Sequence, residues 1–161
     1  MTGGRRELRF DTLEEAVRDA ENLLASGYDR VGEWDLAQCC DHLAAVMQYP
    51  IDGFPAFRFP VNAACWLLRH TVAPGQIRKV LARGVWRAGS PTDKRTIPAA
   101  GGDDAAAVTR LDAAVGRLLT HEGPLHASPL FGMLDRDTLV KLHRIHTAHH
   151  LSFLLPREKR D

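Results

Sequence analysis

Five stretches of this chain repeat apolar residues every three or four positions, and none alternates them strictly. That spacing sets one stripe of side chains on one side of a helix, whereas a half-buried strand needs a period of two. Helix punctuation bounds the stretches. Asp11-Thr12-Leu13-Glu14 opens the first, which runs to about residue 25 with Leu13, Ala16, Val17, Ala20, Leu23 and Leu24 on one side and Gly27 beyond its end. Asp35 opens the second, to about residue 49, before Pro50 and Gly53. The third spans about 61–83 with a break at Pro74-Gly75, after a Pro-broken aromatic connection over 54–60. Asp103 or Asp104 opens the fourth, to about 120, and Asp135 the last, to about 155, before Pro156. Residues 84–103, with three prolines or glycines at each end of the stretch, form a long loop, and 123–132 a second irregular connection. A loop of that length inside a compact domain usually has a function, here that of a lid. The pattern predicts an all-α helical bundle, with residues 1–161 as a single domain.

The chain is long enough, at 161 residues with 45% hydrophobic, to bury a core without a metal or disulfide staple. Its net charge of +1 offers no broad electrostatic grip on nucleic acid or an anionic membrane. No apolar run approaches the ~18 residues of a membrane span. Charged residues rather than an apolar signal core follow Met1-Thr2-Gly3-Gly4-Arg5-Arg6, so secretion is not expected. Cys39, Cys40 and Cys65 make an odd count with no CxxC spacing, which reads as reduced thiols in a cytoplasmic protein. The tail 157–161 is charged and expected to fray.

Eight histidines are many for this length, and four of them fall within positions 143–150. At about 100° per residue, His143, His146 and His150 lie within about 60° of one another, on the same arc as Leu139, Phe153 and Leu154. They occupy the core-facing stripe, opposite Asp137, Lys141, Arg144 and Ser152. Several buried imidazoles need partners. His146 and His150, four apart, present both rings on one face a turn apart and suit a single metal ion. The third ligand has to come from another helix, and the candidates are His42, His70, His121 and His126. His42 borders the apolar side of the second helix; the other three read as surface or loop histidines. No paired carboxylate supplies an obvious general base, since Asp35 reads as a helix cap and Asp41 as a solvent-face residue. Cys39 reads as a small core hydrophobe, Trp34 as a packing anchor, and Trp86 as either a pocket wall or a cover on the bundle end.

Trp34-x-Leu36-x-Gln38-x3-His42-Leu43-Ala44 in an early helix, followed by His146-x3-His150 in the last, resembles the DinB/YfiT-like superfamily. Residues 126–134, His-Ala-Ser-Pro-Leu-Phe-Gly-Met-Leu, ahead of the His-rich helix resemble an uncharacterised bacterial branch of it. The resemblance covers about residues 7–155. It implies an up-down-down-up four-helix bundle and a divalent metal ion, zinc or nickel, held by His42, His146 and His150. His143 and His149 then stand outside the ligand set and line the pocket or hydrogen-bond to it. Relatives often hold Gln three residues after the last ligand, where this chain has Phe153. The implied function is that of a metal-dependent enzyme, with a thiol-dependent transferase acting on a small electrophile as the first reading. A three-imidazole site suits it, because a metal-bound thiolate is a nucleophile at neutral pH; hydrolysis by a bound hydroxide is open as well. The alternatives are a non-catalytic metal- or small-ligand-binding bundle, stress-associated, and a bare helical scaffold. The expected partners are a small-molecule substrate, a low-molecular-weight thiol and a second copy of the chain in a homodimer, with neither nucleic acid nor membrane.

Overall fold

The structure, a computed structural model, describes residues 4–89, 92 and 94–158. Its helices are α1 (Leu13–Ser26), α2 (Leu36–Asp52), α3 (Val61–Thr71), α4 (Ala73–Arg83), α5 (Asp104–Thr120) and α6 (Arg136–Leu151). Two short strands, β1 (Tyr28–Arg30) and β2 (Leu154–Pro156), pair antiparallel with Tyr28 opposite Pro156. The fold is the all-α bundle that the apolar spacing predicts.

Four helices start on a side chain that accepts one of the otherwise unpaired first-turn amides. Thr12 accepts from Glu15, Asp35 from Gln38, Asp103 from Ala106 and Asp135 from Thr138. The first cap falls one residue later than expected, because Glu15, not Glu14, reaches back to the Asp11 amide at 2.7 Å. These four helices form the bundle. Leu13 and Leu23 of α1, Leu36, Leu43 and Met47 of α2, Leu111 and Leu118 of α5 and Leu151 of α6 are all at most 1% exposed.

Hydrogen bonds at one end fix the helix directions. β1 leaves the C-terminus of α1 and β2 follows α6, so their pairing brings those two C-termini together and makes α1 and α6 parallel. At the same end Asp104, the first residue of α5, accepts from the Ala37 amide at 2.8 Å and from the Tyr28 hydroxyl at 3.0 Å. α2 and α5 therefore both start there and run back together. Ion pairs Arg110–Asp41 at 2.7 Å and Arg117–Asp52 at 2.6 Å hold them in parallel register. The order is up-down-down-up. Asp104→Ala is expected to leave the Ala37 amide and the Tyr28 hydroxyl without their acceptor. The expected loss is about 1–3 kcal/mol, read as a lower urea midpoint at unchanged m.

α3 and α4 stand outside this core: α3 has no buried residue and α4 only Ala73. The break between them falls at Val72 rather than at Pro74-Gly75, because Pro74 occupies the first turn of α4, where no intrahelical amide bond is lost. α2 runs on through Pro50 to Asp52, although the proline has no amide to give the Val46 carbonyl. The proline sits in the last turn, Gly53 closes the helix at φ +101°, and the Pro50 carbonyl accepts from the His126 amide at 2.7 Å. α6 ends at Leu151, short of the expected residue 155, as the backbone turns to pair with β1 and Leu154 is buried completely. The charged tail beyond residue 158 lies outside the described residues. Among the described residues no helix is long and apolar enough to cross a membrane.

Candidate metal centre

α2 and α6 run antiparallel and face each other with their histidine-bearing sides. His42 comes from the middle of α2, His146 and His150 from adjacent turns of α6, and one ring nitrogen from each lies within 4.8 Å of the other two. The Nε2 atoms of His146 and His150 are 3.0 Å apart. His42 is 2% exposed, and its Nδ1 donates to the Thr96 carbonyl at 2.9 Å. A carbonyl only accepts, so Nδ1 carries the proton and the lone pair stays on Nε2. That Nε2 is buried and has no partner. Leaving such a nitrogen unpaired costs about 1–3 kcal/mol unless something takes its lone pair. Three imidazole nitrogens converging from two helices are the donor set of an open divalent-metal site. Two nitrogens each ~2.0–2.1 Å from one ion and about 90–110° apart stand about 2.8–3.4 Å from each other, so the 3.0 Å separation of His146 and His150 fits.

The motif residues around His42 have physical roles. Trp34 stacks on the His150 ring at 5.0 Å and 12° and meets the His42 ring edge-on at 5.1 Å. Gln38 completes the capping box and also donates through Nε2 to the Pro98 carbonyl at 3.0 Å. Asp35, the cap, accepts from the Gly101 amide at 2.8 Å as well. The long loop is thereby tied to the start of α2, and its 3₁₀ turn Lys94–Thr96 presents the carbonyl that orients His42. Trp86 packs on His146 at 5.0 Å, which settles it as a wall of the site rather than a cover on the bundle end.

Burial governs the protonation of the cluster. It lowers the pKa of His42, against a smaller opposing effect of the Thr96 carbonyl. It pushes His146 well down, helped by the neighbouring His150, and brings His150 to about 2. All three are neutral at pH 7, the form that binds a metal. His149 is lowered to about 4 by burial and by Arg5, whose Nη1 lies 3.3 Å from its Nδ1. His143 is lowered to about 4 by burial alone. Neither belongs to the three-nitrogen cluster. His70 packs on Trp66, His121 bonds the Pro124 carbonyl and His126 lines a separate hollow beside Gly53, so none of these reaches the centre. Cys39 is pushed up to about 12 by burial, then by Asp35 and Asp104, so it is no thiolate at neutral pH.

A family model described as "Protein of unknown function (DUF1569)" matches residues 3–157. The chain belongs to the DUF1569 family. The match takes in both histidine-bearing helices and the long loop. No curated protein and no solved structure matches this DUF1569 chain significantly.

A chamber of about 500 Å³ opens against His42, His146 and His150 in this DUF1569 protein. α2 and α6 form its floor; α3, the 54–57 connection, the long loop and the 128–134 connection close over it. Among the described residues no Asp or Glu lines it. Asp35 and Asp41, which precede His42 in sequence, are taken up by the helix cap and by Arg110. Phe153 faces elsewhere, between His149 and the Arg5 guanidinium, so it fills no position on the chamber wall. Sequence reading missed two contributors. The Thr96 carbonyl carries no side-chain signal at all. Gln38 is visible in the motif, but its hold on the loop depends on a backbone acceptor sixty residues on.

Proposed function

We propose that this DUF1569 protein is a metal-dependent enzyme of the DinB/YfiT-like superfamily, with zinc or nickel held by His42, His146 and His150. The observation that carries the reading is the buried, unpaired Nε2 of His42 beside two further neutral imidazole nitrogens 3.0 Å apart. Bound there, a divalent ion supplies Lewis acidity, which makes a thiol or water in its open positions a far stronger acid. The chain's own residues prepare that site. The Thr96 carbonyl fixes the His42 tautomer, and Trp34 holds the plane of the His150 ring. Trp86 packs against the His146 ring.

Among the described residues no carboxylate lines the chamber, and this favours one reaction class. Hydrolysis of a stable bond draws on a general base to activate water. A low-molecular-weight thiol brings its own nucleophile and needs little more than a lowered pKa. Transfer of such a thiol to a small electrophile is therefore the reaction we assign. The test uses untagged protein, elemental analysis and a panel of small thiols and electrophiles. The expected result is about one ion per chain and adduct formation that disappears in His146→Ala. An ion without turnover turns the reading into a non-catalytic metal-binding bundle, and protein that takes up no ion overturns it.

A further inference from the structure

We infer that the hairpin of α3 and α4 is a docking surface for an anionic lipid bilayer, its apolar side chains sunk among the headgroups and its cations on the lipid phosphates. This goes beyond the metal reading and does not depend on it. α3 is eleven residues long and buries none of them in the bundle. Helices of that length are marginal in water and draw their stability from packing an apolar face. Here the apolar side chains stand in solvent. Phe59 is 81% exposed, Trp66 63% and Leu67 56%, with Val61, Leu68 and Val72 exposed beside them. They are six of the twelve exposed large apolar side chains among the described residues, gathered within residues 59–72. A patch of that kind marks a surface that something covers.

Charge identifies the cover. Residues 58–83 carry Arg58, Arg69, Arg78, Lys79 and Arg83 and no Asp or Glu. All but Arg69 are exposed, and none of the five forms an ion pair among the described residues. Arg6, Arg110, Arg117 and Arg157, by contrast, are each matched with an aspartate. The net charge of +1 conceals this local excess. The expectation of no membrane partner rests on that net charge and on the want of a spanning run, and a protein that lies on a lipid surface needs neither. An isologous contact with a second copy would set these cations against themselves. A folded acidic partner needs one seam, but Trp66, Leu67 and Leu68 follow one another and point to successive sides of α3. Fluid lipid takes side chains at any such angle. Lys and Arg together with Trp, Phe and Leu are the composition of helices that lie in the headgroup layer.

The test is sedimentation of the full chain with vesicles of phosphatidylcholine, alone or with about one third phosphatidylserine, at low salt. Binding to the anionic vesicles is expected to be at least about tenfold tighter than to the neutral ones, and to fall steeply at ~0.5 M salt. The double variant Arg78→Gln, Lys79→Gln is expected to bind them about 25-fold more weakly, at about fivefold for each charge removed. Trp66→Ser is expected to cost about tenfold, the loss of one ring from the headgroup layer. These side chains are exposed, so both variants are expected to keep the helical circular-dichroism signal. Equal binding to neutral vesicles, no binding to either kind, or undiminished binding in either variant overturns the inference. Self-association that Trp66→Ser abolishes, without vesicle binding, gives the face to a second copy. Preference for polyglutamate over anionic vesicles gives it to an acidic protein, and either result overturns the lipid assignment.

Discussion

Replacing His146 with alanine is expected to weaken zinc or nickel binding more than about a hundredfold, with the helical circular-dichroism signal unchanged. Even residues that only support a metal ligand change affinity by about 10–100-fold, so loss of a ligand exceeds that. The remaining pair, His42 and His150, comes from different helices and closes no chelate along α6. The fold should survive because the apolar core does not depend on the site. The completely buried Leu23, Leu36, Leu43, Met47 and Leu151 pack among the bundle helices without help from an ion. Removing metal from the wild-type chain with a chelator is expected to spare the helical signal for the same reason. Competition with a chromogenic chelator measures the affinity, and His126→Ala is the control, since His126 lies beside Gly53 and outside the cluster. Collapse of the bundle on chelation would make the ion a structural staple, and unchanged affinity in H146A would remove the site.

The way these residues meet explains how far the sequence could be read. Periodicity places His146 and His150 on one face of α6 because a helix repeats locally, and the capping residues Asp35, Asp103 and Asp135 mark their helix starts for the same local reason. The motif joining Trp34, Gln38 and His42 is also local, and its spacing has a physical cause. One turn of helix separates Gln38, which secures the loop, from His42, which the loop orients. Legibility ends where a partner is a backbone atom brought from far along the chain. The Thr96 carbonyl is such a partner. So is the edge of β1, which draws the chain out of α6 after Leu151 although the apolar spacing continues. The α3–α4 break is a third case, because Pro74 is as good a helix start as a helix stop and the neighbouring residues decide. The resemblance supplied what spacing could not: the choice of His42 over His70, His121 and His126. In the structure His42 is the histidine that clusters with His146 and His150.

The stability of the metal-free protein is expected to fall steeply below pH 6.5, and His143 gives the clearest share of that fall. Its pKa drops from 6.5 to about 4 on folding, because burial disfavours the imidazolium. At pH above 6.5 the ring is neutral in both states, and its full contribution to stability is present. Between pH 6.5 and about 4 the unfolded chain holds a proton that the folded chain does not, so acid pulls the equilibrium toward unfolding. The slope approaches ~1.4 kcal/mol per pH unit, and the whole interval amounts to roughly 3 kcal/mol for this one residue. Below about pH 4 both states are protonated and the loss stops growing. The buried cluster histidines titrate with the same sign, so the total fall is larger than His143 alone supplies. Urea midpoints of metal-free protein at several pH values between 7 and 4 measure it. His143→Leu is expected to flatten the curve by about 3 kcal/mol across the interval, whatever it does to stability at pH 7. His143 is chosen because it stands outside the three-nitrogen cluster, so its removal leaves the three clustered histidines in place. An H143L curve parallel to that of the wild type would mean that His143 takes up its proton in the folded chain as freely as in water.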